Sequence, residues 1–342
     1  MNTACKALKA SVISYCSSIG ANALLVQGAG GNASWKDEDT LWVKASGTWL
    51  AEAAEKDIFV PVDLRHIRTA IENCDFSIIP RPLGESLLRP SIETLLHVLM
   101  PHRVVFHLHP IEILAHLVRN DCQSKFLSIR DPSIRWAIVD YHKPGAALAT
   151  AVNTALAQAP NINVIFLKNH GVVIGGDDVA EISYILNTLT TILSTRPVDT
   201  VRNSLPKLPS ALVPSDQYVA VQNPEIHQLA LNTSLFNRLD SDWALYPDHV
   251  VFLGAKAYAY KTWEAFFTEN KAITDSAELI FIQGCGVFVK PTFSKTKYAQ
   301  LLCYYEILVR QHSRSRTKSL LFSQIAELLN WDAEKYRQLN ST

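Results

Sequence analysis

The chain has 342 residues, which is enough for one large domain or two of ordinary size. Hydrophobic residues make up 48% of the sequence and charged residues 19%, proportions that are typical of a globular protein. Lys plus Arg and Asp plus Glu number 32 each, so no basic excess favours nucleic acid or a membrane surface as a partner.

The cysteines and the N-terminal segment bear on the compartment. The 6 cysteines are widely spaced without a Cys-X-X-Cys pair, which argues against a disulfide framework or zinc ribbon and favours a reducing compartment. Residues 6–19 faintly resemble a signal peptide, but serines interrupt the apolar run and the apolar residues recur at helical spacing. No stretch approaches the roughly 20 apolar residues of a membrane span. We therefore expect an amphipathic first helix and a cytoplasmic protein.

Short strands and small-residue loops are predicted next. Strands are predicted at residues 23–26, 41–44 and 59–64, with a turn at residues 35–40 and a hydroxyl-bearing loop at residues 45–48. Residues 27–34 form a glycine cluster, in which backbone N–H groups could converge on an anion. No helical pattern follows it, so it is not a dinucleotide fingerprint, and an ordinary glycine-rich turn is the alternative.

A helix is predicted to open at Pro90, with Ser91 as its N-cap. Glu93 falls in the first turn, where the helix dipole favours an acid. A purely structural role in that turn is therefore the alternative to a chemical role for Glu93.

Residues 103–110 read Arg-Val-Val-Phe-His-Leu-His-Pro, a short β-branched run that predicts a buried strand ending at Pro110. Side chains on a strand alternate between faces, so His107 and His109 point the same way. Two imidazoles on one face can bind a divalent metal, with zinc the first choice. Ordinary polar residues at a strand end are the alternative for this pair.

A third histidine follows further along the chain. Helices are predicted at residues 111–118, 146–157 and 179–193, and residues 120–142 are interpreted as a polar loop region. A hairpin is predicted over residues 163–174, with His170 at a strand end and Gly171 at the turn. Together with His107 and His109, His170 matches the three-ligand arrangement of catalytic zinc.

The proline-rich residues 195–214 are interpreted as a connector between predicted domains at 1–205 and 206–342. Strands are predicted beyond it at residues 250–253 and 279–289. The second of these echoes residues 164–174 at an offset of 115, counted from Val164 to Leu279, and Cys285 stands where His170 would be. Two interpretations of this echo remain: a degenerate internal repeat, or two unrelated hairpins with similar sequences.

Five segments together resemble the class II aldolase/adducin family over roughly residues 10–195. They are Gly30-Gly31-Asn32, Ala45-Ser46-Gly47, Pro90-Ser91-Ile92-Glu93, His107-Leu108-His109-Pro110 and Asn169-His170-Gly171-Val172. The region that continues through residues 289–309 looks like the longer aldolase half of bifunctional rhamnulose-1-phosphate aldolase/dehydrogenase proteins, here without a dehydrogenase half.

The resemblance implies an α/β fold, a three-layer αβα sandwich with a largely antiparallel mixed central sheet. It implies a metal-dependent aldolase that cleaves or forms a phosphorylated keto-sugar through a zinc-stabilised enediolate. Zn²⁺ or another divalent metal would be held by His107, His109 and His170, and Glu93 would be the catalytic acid/base. The substrate-phosphate pocket would be lined by Gly31, Asn32, Ser46, Gly47 and Ser91. Lys44 is added to this set because Ala29 and Ile92 replace hydroxyl residues that small aldolases of the family often carry.

The expected partner is a small sugar phosphate, with no nucleic acid and no membrane. The resemblance also implies a homo-oligomer, with a tetramer as the first expectation and active sites near subunit borders. Tyr141 is the nearest candidate for the family's tyrosine general acid, and simple packing in its loop is the alternative.

Other reactions remain open. Epimerisation, dehydration and decarboxylation of sugar or keto-acid phosphates use the same kind of metal site and differ in the surrounding acids. A zinc hydrolase is less favoured, because a metallo-β-lactamase expects Asp-His after the His-X-His pair and Pro110-Ile111-Glu112 follows here. A non-enzymatic adducin-like scaffold is also less favoured, because such scaffolds usually lose the metal histidines and this chain keeps all three.

Overall fold

The computed structural model describes residues 3–198, 217–270, 277–312 and 316–341. In the first part of the chain the strands are β1 (Asn32–Asp37), β2 (Thr40–Lys44), β3 (Phe59–Asp63), β4 (Val104–Leu108), β5 (Trp136–Val139), β6 (Val164–Leu167) and β7 (Gly171–Gly176). The helices are α1 (Thr3–Gly20), α2 (Leu64–Glu72), α3 (Thr94–Leu99), α4 (Ile111–Leu117), α5 (Cys122–Phe126), α6 (Ala146–Gln158) and α7 (Val179–Ile192), with a 3₁₀ turn at Leu50–Glu52.

These strands form one seven-stranded sheet in the order β3-β2-β1-β4-β7-β6-β5. Neighbouring strands are antiparallel throughout, except that β5 and β6 run parallel. Strand β4 lies in the middle, where His107 pairs with Asn32 of β1 and with Val173 of β7. The predicted mixed, largely antiparallel sheet is thereby confirmed.

Helices cover both faces of this sheet. Val104 and Phe106 of β4 pack into an apolar core that includes α1, α4 and α7. Val105, on the opposite face, packs into a core with α3 and α6. The sheet thus lies between two helical layers, which confirms the three-layer αβα prediction. Because strand side chains alternate, His107 shares the face of Val105 and points toward the layer that contains α3.

The later part of the chain adds a smaller sheet and more helices. Its strands, β8 (Val219–Ala220), β9 (Ala259–Tyr260), β10 (Leu279–Ile282) and β11 (Gly286–Val289), are ordered β8-β11-β10-β9. Its helices are α8 (Gln228–Leu231), α9 (Thr233–Phe236), α10 (Pro247–Leu253), α11 (Trp263–Asn270), α12 (Lys295–Val309), α13 (Phe322–Leu329) and α14 (Asp332–Leu339). Residues of α10 and α12 belong to the same apolar core as α1, α4 and α7, so the two parts pack together.

The smaller sheet repeats the connectivity of β4-β7-β6-β5. In both sheets the first two neighbouring pairs are antiparallel and the third is parallel. His107 pairs with Val173, and Ala220 pairs with Phe288, 115 positions after Val173. Ala220 therefore stands where His107 would be in a second copy. The repeat stays a prediction, as does the domain boundary at 205/206, which lies outside the described residues.

One local prediction near the N-terminus was wrong, and a second was too wide. Residues 23–26 form a turn, because the side chain of Asn22 accepts a hydrogen bond from Leu24 N at 3.0 Å and its carbonyl accepts from Leu25 and Val26. Such local hydrogen bonds compete with strand pairing. The turn predicted at residues 35–40 is present but shorter: Glu38, at φ 52°, and Asp39 form it, while β1 continues to Asp37 and β2 begins at Thr40.

Three later predictions also need correction. Residues 250–253 belong to helix α10, which has Pro247 at its first position and Asp248 in its first turn, both favourable at a helix start. The helix expected at Ser91 begins instead at Thr94, and Glu93 is its N-cap. The region predicted as a loop, residues 120–142, contains α5 and β5. Across the described ranges, no helix has both the length and the apolar character needed to span a bilayer.

Candidate metal centre and active site

Three buried imidazoles meet at the end of β4. His107 lies in the strand and His109 just beyond it, and their Nε2 atoms are 3.0 Å apart. His170 follows β6, where Asn169 adopts a φ of 54° that turns the chain. The amide of Asn169 donates to the carbonyl oxygens of Leu245 and Lys318 at 2.8 and 2.6 Å and so fixes this turn. One ring nitrogen from each of the three histidines lies within 4.8 Å of the others.

Close backbone approach makes room for these rings. A Cβ atom at Gly171 would lie 2.5 Å from the carbonyl oxygen of Leu108 and 2.6 Å from Cδ2 of His109. A Cβ atom at Gly30 would lie 2.7 Å from Oδ2 of Asp248. Both glycines are therefore needed where the chain closes on the site. The predicted hairpin is present, but its turn lies at residues 168–170, and Gly171 is the first residue of β7.

The carboxylate of Glu93 faces the imidazoles from the start of α3. Its Oε2 atom lies 3.4 Å from Nε2 of His107, and its Oε1 atom lies 3.3 Å from Nε2 of His170. The side chain of Asn32 donates to Oε2 at 3.1 Å, whereas Oε1 has no hydrogen-bond partner in the described part of the chain. Glu93 is thus more than a helix-start acid, because its side chain makes no capping bond and points into the cluster.

A buried chain of hydrogen bonds orients Glu93. Nε2 of His97 bonds to Oδ1 of Asn32, and since that oxygen only accepts, His97 carries its proton on Nε2. Nδ1 of His97 therefore accepts from the hydroxyl of Ser34 at 2.7 Å. Burial and the neighbouring His107 lower the pKa of His97 to about 3, so it stays neutral near pH 7. Proton donation consequently runs from Ser34 through His97 and Asn32 to Glu93.

The charge states suit metal ligation. Burial, followed by the neighbouring His107, holds the pKa of His109 well below its usual range. Burial also lowers the pKa of His170 to about 4, although nearby Glu93 acts in the opposite direction. For Glu93, burial acts to raise the pKa, but the imidazoles and the Asn32 bond outweigh it and lower the pKa to about 2. Neutral imidazoles beside an ionised carboxylate are what a divalent cation requires.

The residues present fit a divalent metal. Zinc–nitrogen bonds of about 2.0–2.1 Å place the nitrogens of neighbouring ligands roughly 3–3.5 Å apart, close to the 3.0 Å between His107 and His109. Nδ1 of His107 donates to the carbonyl oxygen of Val172 at 3.2 Å, which leaves Nε2 unprotonated and free to ligate. The unpartnered Oε1 atom of Glu93 and Nδ1 atom of His170 are buried polar atoms at the same place.

All six residues predicted to bind phosphate border one cavity beside this cluster. The lining groups that belong to the predicted sets are Gly31, Asn32, Lys44, Ser46, Gly47, Ser91, Glu93, His109 and His170. His107 is fully buried behind them. Tyr141 does not line the cavity; its hydroxyl is buried without a partner among the described residues, and burial raises its pKa. Its role as a general acid stays a prediction that this geometry does not favour.

The later part of the chain also contributes Pro247, Asp248 and Arg337 to the cavity lining, and sequence reasoning missed the two charged residues. Asp248, in the first turn of α10, places Oδ2 3.5 Å from Nδ1 of His109. Arg337, in α14, forms a buried ion pair with Asp248. No short sequence motif predicts the contacts of Asp248 and Arg337, because their partners are distant in the sequence. His97 was missed as well, although its position four residues after Glu93 could have placed the two on one helix face.

Lys44 in the cavity wall and Glu334, which contacts Arg337, have shifted pKa values. Burial, followed by the positive charge of Arg337, lowers the pKa of Lys44 to about 7. Burial raises the pKa of Glu334 to about 7, although Arg337 counteracts it. For Arg337, burial lowers the pKa but the carboxylates of Asp248 and Glu334 more than offset it, so the guanidinium stays charged.

Comparison with known proteins gives the family. Uncharacterized oxidoreductase YuxG of Bacillus subtilis (strain 168) is 28% identical over 176 residues, which cover 46% of this chain and 25% of that protein. The match therefore spans about a quarter of that relative's length. Among solved structures, the N-terminal class II aldolase domain of a conserved Thermoplasma acidophilum protein is 23% identical, with a TM-score of 0.46, and covers 54% of this chain and 90% of that one. A sugar-phosphate aldolase from Thermotoga maritima is 15% identical, with a TM-score of 0.43, and covers 55% and 94%.

The family model described as Class II Aldolase and Adducin N-terminal domain matches residues 10–195, more than half of the chain. The matched range coincides with the one over which the sequence motifs resemble that family. The resemblance of later residues to the bifunctional rhamnulose proteins is not covered by this match and stays a prediction. The chain belongs to the class II aldolase and adducin family.

Proposed function

We propose that the protein is a metal-dependent aldolase that cleaves or forms a carbon–carbon bond in a phosphorylated keto-sugar. One observation carries the proposal: a carboxylate, two of the three clustered imidazoles and the six predicted phosphate-binding residues border a single cavity. The arrangement suits a reaction that needs a proton carrier next to a Lewis acid and a fixed anionic handle on the substrate.

We assign His107, His109 and His170 to hold Zn²⁺ or another divalent metal. When bound, such a cation polarises the carbonyl group of a keto-sugar. Asp248 would keep the His109 ring in place through Nδ1, and the carbonyl of Val172 would do the same for His107.

Glu93 is the proposed acid/base. Asn32 occupies Oε2, so Oε1 is the oxygen left to carry a proton. In the cleavage of a ketose 1-phosphate, the bond between C3 and C4 breaks, the C4 hydroxyl loses its proton as the aldehyde forms, and C3 gains a proton. We place the C3 proton on Oε1 of Glu93, which gives it up during cleavage and takes it back during synthesis.

We also propose a homo-oligomer, with the tetramer that the family resemblance implies. Among the described residues that line the cavity there is no tyrosine that could take the C4 hydroxyl proton. A neighbouring subunit is a natural source. Light scattering would test this, and a monomer with full activity would contradict it.

The reaction is tested with purified protein of known metal content. A panel of ketose 1-phosphates is supplied, and release of dihydroxyacetone phosphate is followed by a coupled assay before and after removal of metal by a chelator. We expect release from at least one ketose phosphate, loss on chelation and recovery on adding Zn²⁺. Epimerised or dehydrated products without carbon–carbon cleavage would instead assign the site to another reaction.

A further inference from the structure

Helix α14 contributes a charged group to the cavity from outside the region that matches the family. The helix carries acids in its first turn and Arg337 in its last, which suits its dipole. Nη1 of Arg337 donates to both carboxylate oxygens of Glu334, at 3.2 and 3.1 Å, and Nη2 pairs with Asp248. The guanidinium also lies 5.2 Å from the ring centre of Phe252. These contacts hold one buried side chain in a fixed orientation.

Two buried polar groups of the cavity are left without partners. Nε of Arg337 and the hydroxyl oxygen of Ser46 have no hydrogen-bond partner within the described ranges. Among the described residues, the ammonium group of Lys44 donates only to the carbonyl oxygen of Ala29, at 3.2 Å. Unpartnered buried donors are costly, so groups of this kind point to a ligand that would satisfy them.

We propose that Arg337 is a specificity-determining residue that binds the phosphate group of the substrate together with Lys44 and Ser46. The substrate class rests on the proposed function; the anion-binding role rests on the cavity. Phosphate has several acceptor oxygens, and the Lys44 ammonium, Nε of Arg337 and the Ser46 hydroxyl are three donors for them, while Asp248 and Glu334 hold the guanidinium in place. Arg337 thereby supplies the donors that the family often takes from hydroxyls at the positions of Ala29 and Ile92.

The cavity is too small to admit phosphate unless part of its wall moves. Its volume is about 20 Å³, which is room for a single water molecule and too little for phosphate. Helix α14 forms one wall, where the ring of Tyr336 stacks under Arg89 at 4.2 Å and Asn340 approaches Gly47. Entry of phosphate therefore requires one wall of the cavity to move outward, and we infer that the moving wall is α14, which carries Arg337.

Calorimetric titration with inorganic phosphate tests the proposal without a reaction. The variants are Arg337→Gln, Arg337→Lys and the matched control Lys335→Gln, which removes an exposed cation from the same helix. We expect phosphate affinity to fall about 100-fold in Arg337→Gln and about tenfold in Arg337→Lys, with Lys335→Gln unchanged. Zinc content and thermal unfolding are measured alongside.

Arg337→Lys keeps a positive charge beside Asp248 and Glu334. If Arg337→Gln fails to fold, the phosphate affinity of Arg337→Lys alone tests the proposal. A second measurement uses the unaltered protein: inorganic phosphate should change the hydrogen exchange of residues 332–341, and sodium acetate at the same ionic strength should not. Unchanged phosphate affinity in a folded Arg337 variant would overturn the proposal, as would acetate that binds as tightly as phosphate.

Failure of the proposed role of Arg337 can be distinguished from failure of the proposed aldolase reaction. Arg337-dependent phosphate binding without cleavage of any ketose phosphate would refute the reaction and leave the anion site standing. Cleavage of a ketose phosphate with unchanged KM and phosphate affinity in Arg337→Lys would support the reaction and refute the role of Arg337.

Discussion

The Oδ2 atom of Asp248 lies 3.5 Å from the Nδ1 atom of His109. Asp248 belongs to α10, beyond the residues that match the family model, so a residue outside the matched region contacts an imidazole within it. A carboxylate in this position fixes the ring and its tautomer and makes the other nitrogen a better ligand. The later part of the chain therefore helps to build the histidine cluster.

Replacing Asp248 should weaken metal binding. We predict that Asp248→Asn lowers zinc affinity about 10–100-fold, because the ring of His109 loses its charged anchor. Competition with a chelating dye measures the affinity, and Asp240→Asn, at an exposed position, is the control. Equal zinc affinity in Asp248→Asn and the unaltered protein would show that the carboxylate does not support the ligand.

His97 should act as a positioning residue for Glu93. In His97→Ala, the amide of Asn32 loses the bond that fixes which end faces Glu93, and Ser34 loses its acceptor. We predict that kcat falls about 10–100-fold while zinc content is retained, because the carboxylate is no longer held in a single orientation. Two buried groups left unpaired should also cost about 1–3 kcal/mol each in the free energy of unfolding.

Measuring kcat together with the unfolding temperature separates a positioning role of His97 from a general loss of stability. A merely structural role for His97 would lower the unfolding temperature and leave kcat of the folded fraction unchanged, which would contradict the prediction. His142→Ala, at an exposed position, controls for loss of an imidazole.

Anion affinity should depend on pH through Lys44. Burial, followed by the charge of Arg337, places the pKa of Lys44 at about 7, below the usual 10.5. Above about pH 7 the ammonium therefore loses its proton and its attraction for a dianion. Sulfate, which does not titrate in this range, should bind with constant affinity below pH 7 and progressively more weakly above it, by up to about tenfold per pH unit.

Glu334 must be separated from this effect, because burial raises its pKa to about 7 and its ionisation would also oppose an anion. Calorimetric titration with sulfate between pH 6 and 9 is therefore carried out on Lys44→Met and Glu334→Gln. We predict that the pH dependence largely disappears in Lys44→Met and persists in Glu334→Gln. The reverse pattern would assign it to the carboxylate.

The sequence carried enough information for the architecture around β4. The β-branched run before His107 predicted a buried strand, and the period of two placed His107 and His109 on one side, where their Nε2 atoms lie 3.0 Å apart. The hairpin of β6 and β7 could also be predicted from local sequence, because two apolar runs flank a short polar segment, although the turn lies at residues 168–170 and not at Gly171. The direction of the sheet strands came from family resemblance and not from periodicity.

Other features depend on tertiary contacts that periodicity does not record. Residues 250–253 are apolar and β-branched, so propensity favours a strand, yet burial on all sides lets them form part of α10. Arg337 meets Asp248 only because α14 packs against α10, and an amphipathic pattern in α14 does not reveal its neighbour. His97 was hidden for a different reason: its partners, Ser34 and Asn32, lie on a strand that was predicted as a loop and turn.

The central claim is that Glu93 moves the proton at C3 beside a metal held by the three histidines. The most direct measurement is the exchange of that proton of dihydroxyacetone phosphate with deuterium from water, followed by NMR in Glu93→Gln, in His170→Ala and in the unaltered protein. We predict that Glu93→Gln keeps its metal and exchanges about 10²–10⁴-fold more slowly, whereas His170→Ala loses metal and exchange together. Near-normal exchange in metal-loaded Glu93→Gln would contradict the claim.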